Sequence, residues 1–269
     1  MPQLSIITIN YNNAEGLKKT IESVLAQSAK NFEYIVVDGA SSDGSKAIIE
    51  QYQDKISYWI SEKDLGIYNA MNKGILAAKG EFCQFLNSGD YLADENVTQK
   101  MLSQCDDSSV IYGNMIKKWP SGKIFKNTSI DTKSFYNFYL GSLNHSPAYI
   151  RKSLFEKYGL YDENLKIVSD WKFFLKAIAL ENESVKYVDL DMTIFDMTGI
   201  SNTNSNLDKS ERKMFLEEQI PASILYDYDK YWRDIDMMKR IKRNRFVYKI
   251  VWFLERVLFK IEQKTKKSN

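Results

Sequence analysis

Apolar and polar positions alternate in regular blocks over the first ninety residues. Short apolar runs, rich in β-branched and aromatic residues, end in polar turns, and between them apolar residues recur three or four positions apart. The runs predict strands at 4–10, 32–38, 56–60 and 81–86. The segments between them predict helices at 14–29, 44–54 and 66–79. Because crossover helices join consecutive parallel strands, this order predicts an α/β fold with a Rossmann-like, mostly parallel central sheet flanked by helices.

The pattern is less regular after residue 90. It predicts helices at 94–104, 151–159 and 169–183, and strands at 110–113, 123–126, 145–150 and 185–189. A segment rich in Asn, Ser and Thr, 199–208, predicts a loop that is a candidate mobile lid. The alternation of strand and helix therefore weakens in this part of the chain.

The segment 239–261 predicts an amphipathic helix. A narrow cationic stripe of Lys249, Arg256 and Lys260 runs along it. The helix also has a broad apolar face, formed by Phe246, Ile250, Phe253, Leu254, Val257, Leu258 and Ile261. Aromatic residues flank the cationic stripe: Tyr248, Trp252 and Phe259. Such a helix suits an anionic membrane surface, and the alternative is a helix that packs on the body of the protein or on a partner.

Net charge separates this tail from the rest of the chain. The whole sequence carries +2, whereas residues 239–269 carry +9, so the other 238 residues carry −7. Because the tail lacks the distributed basic pattern of a binding face, we expect no nucleic-acid partner. No apolar stretch reaches the roughly 18–20 uncharged residues of a spanning helix, and the amino terminus lacks signal-peptide features. Cys83 lies in an apolar run, which predicts a buried free thiol. We expect a cytoplasmic protein, peripheral on the inner face of the cytoplasmic membrane.

Three carboxylates stand at turns where strands or helices begin or end. Asp38 ends the second predicted strand, Asp64 precedes the third helix, and Asp170 begins the helix predicted at 169–183. Each has a structural interpretation, an Asx turn for Asp38 and helix caps for the other two. Because ligands bind at the carboxyl ends of strands in open α/β sheets, each is also a candidate binding residue.

The turn Asn87-Ser-Gly-Asp90 follows the fourth predicted strand and carries the remaining candidate carboxylate. A carboxylate at a strand end can hold a hard divalent cation together with phosphate oxygens. Lys73, in mid-helix, is a candidate phosphate contact, and Asn72 beside it has no capping role. His145 is the only histidine, with a structural role as the alternative, and Trp171 could stack on an acceptor sugar ring.

The order of these motifs resembles the family 2 glycosyltransferases, which are inverting enzymes of GT-A fold that use nucleotide-diphospho-sugars. The resemblance covers roughly residues 3–200 and is carried by 5–12, 37–44, 64–74, 87–90 and 169–171. The sequences of segments 64–74 and 87–90 are similar to those of bacterial enzymes of surface-polysaccharide assembly. The family resemblance implies a hexosyltransferase-type enzyme with a GT-A domain at 1–210, of which 1–92 serves the nucleotide-sugar and 93–210 the acceptor. The helical, basic extension is 211–269.

The resemblance also implies roles for individual residues. Asp90, at the end of the family's Asp-X-Asp motif, would hold Mg²⁺ or Mn²⁺, His145 would approach the metal, the diphosphate or the acceptor, and Asp170 would be the catalytic base. The residues implied at the nucleotide and diphosphate are Ile9, Asn10, Asp38, Asp64, Asn72 and Lys73. The implied donor is a nucleotide-diphospho-sugar, with a UDP-sugar as the first expectation, and the acceptor is a glycan or a lipid-diphosphate-linked glycan.

The chain departs from the family pattern at two motifs. Many relatives read Asp-Ser-Asp-Asp where this chain has Asn87-Ser-Gly-Asp90, and Glu-Asp where it has Ser169-Asp170. The first difference leaves one carboxylate, so the metal site is expected to be weaker or completed by Asn87 or His145. The alternative function is therefore a non-catalytic protein of the same fold that binds a nucleotide-sugar.

Overall fold

Strands and helices are defined in a computed structural model that describes residues 2–119, 121–127, 134–196 and 205–266. The strands are β1 Leu4–Asn10, β2 Phe32–Asp38, β3 Tyr58–Ser61, β4 Phe82–Phe85, β5 Tyr91–Leu92, β6 Val110–Lys118, β7 Ile124–Asn127, β8 Ala148–Arg151 and β9 Val185–Asp196. The helices are α1 Ala14–Leu25, α2 Ser45–Tyr52, α3 Ile67–Ala77, α4 Val97–Leu102, α5 Phe135–Leu140, α6 Ser153–Tyr158, α7 Ser169–Phe174, α8 Ser205–Gln219, α9 Ala222–Arg243 and α10 Arg245–Lys266. A 3₁₀ turn, Gln53–Lys55, follows α2.

The strands of the described residues form one sheet in the order β3-β2-β1-β4-β8-β6-β9-β5, and β7 pairs with β6. Strands β1 to β4 pair only in parallel with one another, as expected for strands joined by crossover helices. Beyond them β8 is antiparallel to β4 and β6, while β9 is parallel to β6. The predicted α/β fold with its mostly parallel central sheet and flanking helices is confirmed.

The core explains why the first strands are continuous apolar runs. Every residue of β1 is buried, because helices cover both faces of a parallel sheet. Helix α3 packs closely on β1 through Gly74, where an added Cβ would lie 2.4 Å from Cγ2 of Ile7. A larger side chain at Gly74 would therefore push apart the helix and the strand that form the predicted nucleotide side of the sheet.

Several elements differ from the predictions. The helix predicted at 169–183 is α7 followed by a π-helical turn, Leu175–Leu180. The strand predicted at 185–189 continues to Asp196, because its second half pairs with β6 and β5. Helix α5 was not predicted, whereas α9 lies within the helical extension predicted at 211–269. The predicted lid is wrong from Ser205 onward, where α8 begins, and residues 197–204 lie outside the described residues.

The chain divides into two compact units, Met1–Phe215 and Leu216–Asn269. In the second unit the helix predicted at 239–261 is interrupted at Asn244, so residues 239–243 belong to α9. The Oδ1 atom of Asn244 accepts hydrogen bonds from the backbone N–H groups of Phe246 and Val247, which caps α10. Among the described residues, none of the helices is both long and apolar enough to cross a membrane.

Candidate active site

Three parallel strands bring polar side chains to one edge of the sheet. Asn10 at the end of β1 pairs in register with Asp38 at the end of β2, which pairs in turn with Ser61 at the end of β3. The turn 87–90 leaves β4 beside them, because the backbone N–H of Ser88 donates to Ile9 O at 3.0 Å. The strand ends that the sequence predicted to bind a ligand therefore lie at one edge.

The Asp38 carboxylate is buried and held by four hydrogen bonds. Its Oδ1 accepts from Asn10 Nδ2 at 2.7 Å and from Ser41 Oγ at 2.6 Å. Its Oδ2 accepts from Ser41 N at 3.1 Å and from Ser61 Oγ at 2.7 Å. The bond to Ser41 N is the Asx-turn arrangement that the sequence left open, so a ligand hydroxyl or N–H has to displace one of these donors.

Asn10 has one polar atom that the protein leaves available. Its Oδ1 is buried and has no hydrogen-bond partner within the described part of the chain. A buried acceptor without a partner costs about 1–3 kcal/mol, which a ligand donor would recover. Ile9 differs, because its side chain belongs to the core and only its backbone carbonyl reaches the edge, where Ser88 occupies it.

Asp64 and Tyr11 meet over Gly39. An added Cβ at Gly39 would lie 2.4 Å from Asp64 Oδ2 and 3.1 Å from Cδ2 of Tyr11, so glycine permits this close approach. The ring of Tyr11 is 67% exposed, although it lies beside this buried edge. The sequence placed Tyr11 in a polar turn and did not identify it; an aromatic residue directly after a buried strand was the available signal.

Asn72 and Lys73 are both engaged by the protein. Asn72 donates to Tyr161 O at 2.9 Å and to Glu163 Oε1 at 2.8 Å, and accepts from Tyr161 N at 3.0 Å. These hydrogen bonds satisfy the buried Asn72 amide, so its place in mid-helix needs no ligand to explain it. Lys73 Nζ lies 2.7 Å from Glu62 Oε1 and is partly exposed, so its charge is within reach of the surface.

Asp170 and His145 form the buried centre of the second group of polar residues. Asp170 Oδ2 lies 2.9 Å from His145 Nδ1, and Asp170 Oδ1 lies 2.9 Å from the hydroxyl of Tyr68. The side chains of Asp170 and His145 are 15% and 19% exposed. His145 Nε2 lies 3.4 Å from Asn87 Nδ2. The structure therefore joins the predicted base to the turn after β4 through the only histidine of the chain.

Charge and burial act in opposite directions on this pair. Burial favours the neutral imidazole, but the hydrogen bond and charge of Asp170, together with the charge of Asp90, raise the pKa of His145 above its usual value. Burial likewise disfavours the carboxylate, but the hydrogen bond and charge of His145 and the Tyr68 hydroxyl hold the pKa of Asp170 below its usual value. Asp170 is therefore ionised at neutral pH, which is the form that can accept a proton.

The turn 87–90 is held by helix α1. Thr20 Oγ1 donates to Asp90 O at 2.6 Å and accepts from Gly89 N at 3.0 Å. Gly89 has φ +104°, a conformation that favours glycine. The Asp90 side chain is buried, and its charge reaches His145. Thr20 was not identified from the sequence, because an ordinary threonine on a helix gives no sign that it will support a turn seventy residues away.

The donor atoms around this turn can be compared with what a divalent cation requires. Oδ1 of Asn87 is buried and finds no hydrogen-bond partner among residues that the structure describes. In those residues no three His, Cys, Asp or Glu side chains come together as a metal site. By donor type Asp90, His145 and Asn87 suit Mg²⁺ or Mn²⁺ with phosphate and water oxygens completing the coordination, but the Asn87 amide turns Nδ2 and not Oδ1 toward His145 Nε2.

Trp171 corrects one prediction. Its side chain is 1% exposed, and its Nε1 donates to Phe138 O at 2.8 Å. Phe215 packs against its ring with a centroid distance of 5.8 Å, and the Arg212 guanidinium lies over it at 4.7 Å. The expected stacking of Trp171 on an acceptor sugar is therefore wrong for this structure, because core residues cover the ring.

Similarity to known proteins agrees with this fold and site. Residues 5–159 match the family described as Glycosyl transferase family 2. An uncharacterized glycosyltransferase of Mycobacterium tuberculosis is 31% identical over 209 residues, covering 74% of this chain and 77% of that protein. A PGL/p-HBAD biosynthesis glycosyltransferase of Mycobacterium bovis is 24% identical over 209 residues, covering 75% of this chain and 80% of that protein.

Solved structures show the same fold. S. aureus TarS 1–349 in complex with UDP-GlcNAc superposes with a TM-score of 0.61 at 22% identity, covering 76% of this chain and 61% of that one. The mannosyltransferase PcManGT from Pyrobaculum calidifontis, in complex with GDP-Man and Mn²⁺, gives 0.57 at 13% identity, covering 72% and 56%.

The fold and the family match together define an enzyme that transfers a glycosyl group. The chain belongs to glycosyltransferase family 2, and its architecture is that of the GT-A fold.

Proposed function

We propose that this glycosyltransferase moves a sugar from a nucleotide-diphospho-sugar to a hydroxyl of a glycan or lipid-linked acceptor, with inversion, in bacterial polysaccharide biosynthesis. The observation that carries the proposal is the Asp170 carboxylate, fixed by His145 and Tyr68 and joined through His145 to the turn 87–90. A fixed base beside a leaving-group site is what a single displacement needs.

The donor half of the proposal rests on the sheet edge. Oδ1 of Asn10, without a partner among the described residues, offers an acceptor to base or ribose groups, Asp38 would offer one by releasing a present donor, and exposed Tyr11 beside Asp64 offers a ring face. Lys73, which now pairs with Glu62, supplies a cation for the diphosphate. The relatives in complex with UDP-GlcNAc and GDP-Man support a nucleotide-sugar, with UDP-sugars as the first to test.

The reaction needs one proton removed and one charge stabilised. In this proposal Asp170 accepts the proton of the acceptor hydroxyl as that oxygen bonds the anomeric carbon and the nucleoside diphosphate leaves with the electron pair of the broken bond. Asp90, with His145 and Asn87, would hold Mg²⁺ or Mn²⁺, which neutralises diphosphate charge when bound. Single displacement predicts a product whose anomeric configuration is opposite to that of the donor.

A transfer assay tests the proposal. Nucleotide-sugars are first screened with Mg²⁺ or Mn²⁺ for a rise in melting temperature. Each stabilising donor is then incubated with glycan and lipid-linked acceptors, and the anomeric configuration of the product is read by proton NMR. Inverted product supports the proposal, whereas retained configuration overturns the single displacement.

A non-catalytic nucleotide-sugar-binding protein is the second candidate. The observation that favours it is the single carboxylate of the 87–90 turn. Donor binding without transfer or donor hydrolysis, at any concentration of divalent cation, would select this function. Loss of Mn²⁺-dependent donor binding in Asp90→Ala, measured by calorimetry with and without the ion, would support the cation site.

We also propose that α10 binds an anionic membrane surface on the cytoplasmic side. Its apolar face is open to solvent, with Phe253 and Leu258 about three-fifths exposed, and Arg256 lies over the Trp252 ring at 4.6 Å. Apolar area together with roughly 1 kcal/mol for each basic residue near anionic lipid favours binding in the interface. A membrane location fits a lipid-linked acceptor.

Vesicle flotation of the full chain tests this surface. Phe253→Glu should reduce binding to phosphatidylglycerol vesicles about tenfold or more, because it removes roughly 1.5–3 kcal/mol of apolar burial. Met237→Glu makes a comparable change on neighbouring α9 and should bind normally. Equal flotation of both variants, or equal binding to neutral phosphatidylcholine vesicles, overturns the proposal; dimerisation lost only in Phe253→Glu assigns the face to a second copy.

A further inference from the structure

Tyr68 connects the two halves of the candidate site. It lies on the first turn of α3, yet its hydroxyl is 2.9 Å from Asp170 Oδ1 and 2.5 Å from Ile167 O, about a hundred residues along the chain. The side chain is buried, and its ring packs on Tyr161 with a centroid distance of 5.6 Å. The ring contacts therefore fix where the hydroxyl points.

The same turn of α3 is bound to the nucleotide side. Gly66 N donates to Asp64 Oδ1 at 3.0 Å, and Leu65 N donates to Asn69 Oδ1 at 3.2 Å. Asp64 in turn lies against Gly39, which follows β2. Tyr68 therefore belongs to a short segment whose one end faces the predicted nucleotide and whose other end contacts the predicted base.

Other bonds hold the backbone around Asp170 without the Tyr68 hydroxyl. Glu163 accepts from Asn69 Nδ2 and from Asn72 Nδ2, each at 2.8 Å, and Asn72 also bonds the backbone of Tyr161. Glu211 accepts from three consecutive backbone N–H groups, those of residues 166–168. Removing the hydroxyl alone should therefore leave this backbone in place and release only the carboxylate.

The hydroxyl has one hydrogen and two acceptors within reach. Its oxygen lies 2.5 Å from Ile167 O and 2.9 Å from Asp170 Oδ1, so the hydrogen is shared between the carbonyl and the carboxylate. His145 holds Oδ2 and the backbone N–H of Trp171 also donates to the carboxylate, so these donors and Tyr68 fix its plane while a lone pair remains for an acceptor hydroxyl. When Asp170 takes the acceptor proton, the Tyr68 hydrogen can turn to Ile167 O, and its hydroxyl stays bonded.

We propose that Tyr68 is a positioning residue for Asp170, and that it ties the orientation of the base to the segment that contacts the nucleotide. The inference rests on the proposed function, because it assigns Tyr68 a part in the transfer step. A base displaced by about 1 Å can cost on the order of a hundredfold in rate. Loss of the hydroxyl should therefore change catalysis while donor binding persists.

The experiment compares Tyr68→Phe with Tyr161→Phe in the full chain, using the donor and acceptor that the wild type accepts. Tyr161 is the matched control, since its hydroxyl belongs to the same aromatic cluster and has no hydrogen-bond partner in the described part of the protein. Tyr68→Phe should lower kcat about 10- to 100-fold, with donor KM within about twofold. Tyr161→Phe should keep both constants near wild type.

A double-mutant cycle with Asp170→Asn separates positioning from general structural damage. If Tyr68 acts through Asp170, adding Tyr68→Phe to Asp170→Asn causes no further loss of residual transfer, whereas structural damage multiplies the two losses. Multiplied losses, or wild-type kcat in Tyr68→Phe, overturn the inference while the proposed function stands. Absence of transfer by the wild-type enzyme overturns the proposed function itself. Because the cycle compares ratios of kcat, it distinguishes positioning from structural damage even if Tyr68→Phe has a lower melting temperature.

Discussion

Replacing Asp170 by asparagine is the most direct perturbation of the candidate base. The carboxylate accepts from His145 on one oxygen and from Tyr68 on the other. Asparagine is neutral and offers one acceptor oxygen, so the Tyr68 hydrogen turns to Ile167 O and the charge-assisted bond from His145 is weakened. Weakening a buried charge-assisted hydrogen bond costs about 1–3 kcal/mol. For a chain of this size that lowers the melting temperature by roughly 2–4 °C per kcal/mol.

The loss in rate should far exceed the loss in stability. A positioned base contributes about 10²- to 10⁴-fold, so kcat for transfer should fall by that factor at a temperature where the variant is folded. Donor affinity, measured by calorimetry, should stay within about threefold, because Asp170 is predicted to contact the acceptor and not the nucleotide. The assay is radiolabelled donor transfer, with the melting temperature measured on the same samples.

Asp162→Asn is the matched control for this variant. Asp162 is a nearby carboxylate on the same segment, and its Oδ2 lies 2.7 Å from Lys172 Nζ. Its replacement should cost some stability and leave kcat near wild type. If Asp170→Asn keeps more than a tenth of wild-type kcat while the control behaves normally, Asp170 is not the base and the assignment of this pair is wrong.

Two further predictions concern stability. Trp171→Ala should cost about 3–5 kcal/mol in urea unfolding because it empties a core position, whereas exposed Leu76→Ala should stay within about 0.5 kcal/mol. Hydrogen bonds from Lys157, Ser109 and Tyr158 lower the pKa of Glu183 from 4.5 to about 2. The ionised Glu183 carboxylate therefore contributes to folding stability in full above pH 4.5, and this contribution is lost as pH falls toward 2. The difference in free energy of unfolding between wild type and Glu183→Gln should shrink over that interval. A constant difference contradicts the prediction.

The first half of the fold could be predicted closely because parallel strands, buried on both faces, appear as unbroken apolar runs. Strands β1 and β2 match their predicted bounds, 4–10 and 32–38. Strand β9 extends beyond its predicted bounds, 185–189, because polar Asp189 and Asp191 interrupt its apolar pattern. They lie at the surface beside Lys126, and the strand continues on pairings that the local sequence does not encode.

Residues of the candidate site were predictable where chain geometry alone sets their position. Asp38 is the last residue of a buried strand, so its place at the sheet edge was available from the sequence. Trp171 was not predictable, because whether its ring faces a cleft or the core depends on Phe138 and Phe215, which are distant along the chain. Tyr68 was missed for the same reason, since its partner is about a hundred residues away.

A single carboxylate in the 87–90 turn changes which residues the diphosphate of the proposed donor would depend on. One carboxylate would oppose the phosphates with less negative charge than two or three would. The side-chain cation proposed for the diphosphate is Lys73, held by Glu62, because a His145 ring that binds the metal through a nitrogen is neutral. Because Asp170 also fixes the His145 ring, the proposed base and the proposed leaving-group side share one hydrogen-bonded pair. A change at Asp170 should therefore weaken cation-dependent donor binding less than a change at Asp90, and abolish transfer more completely.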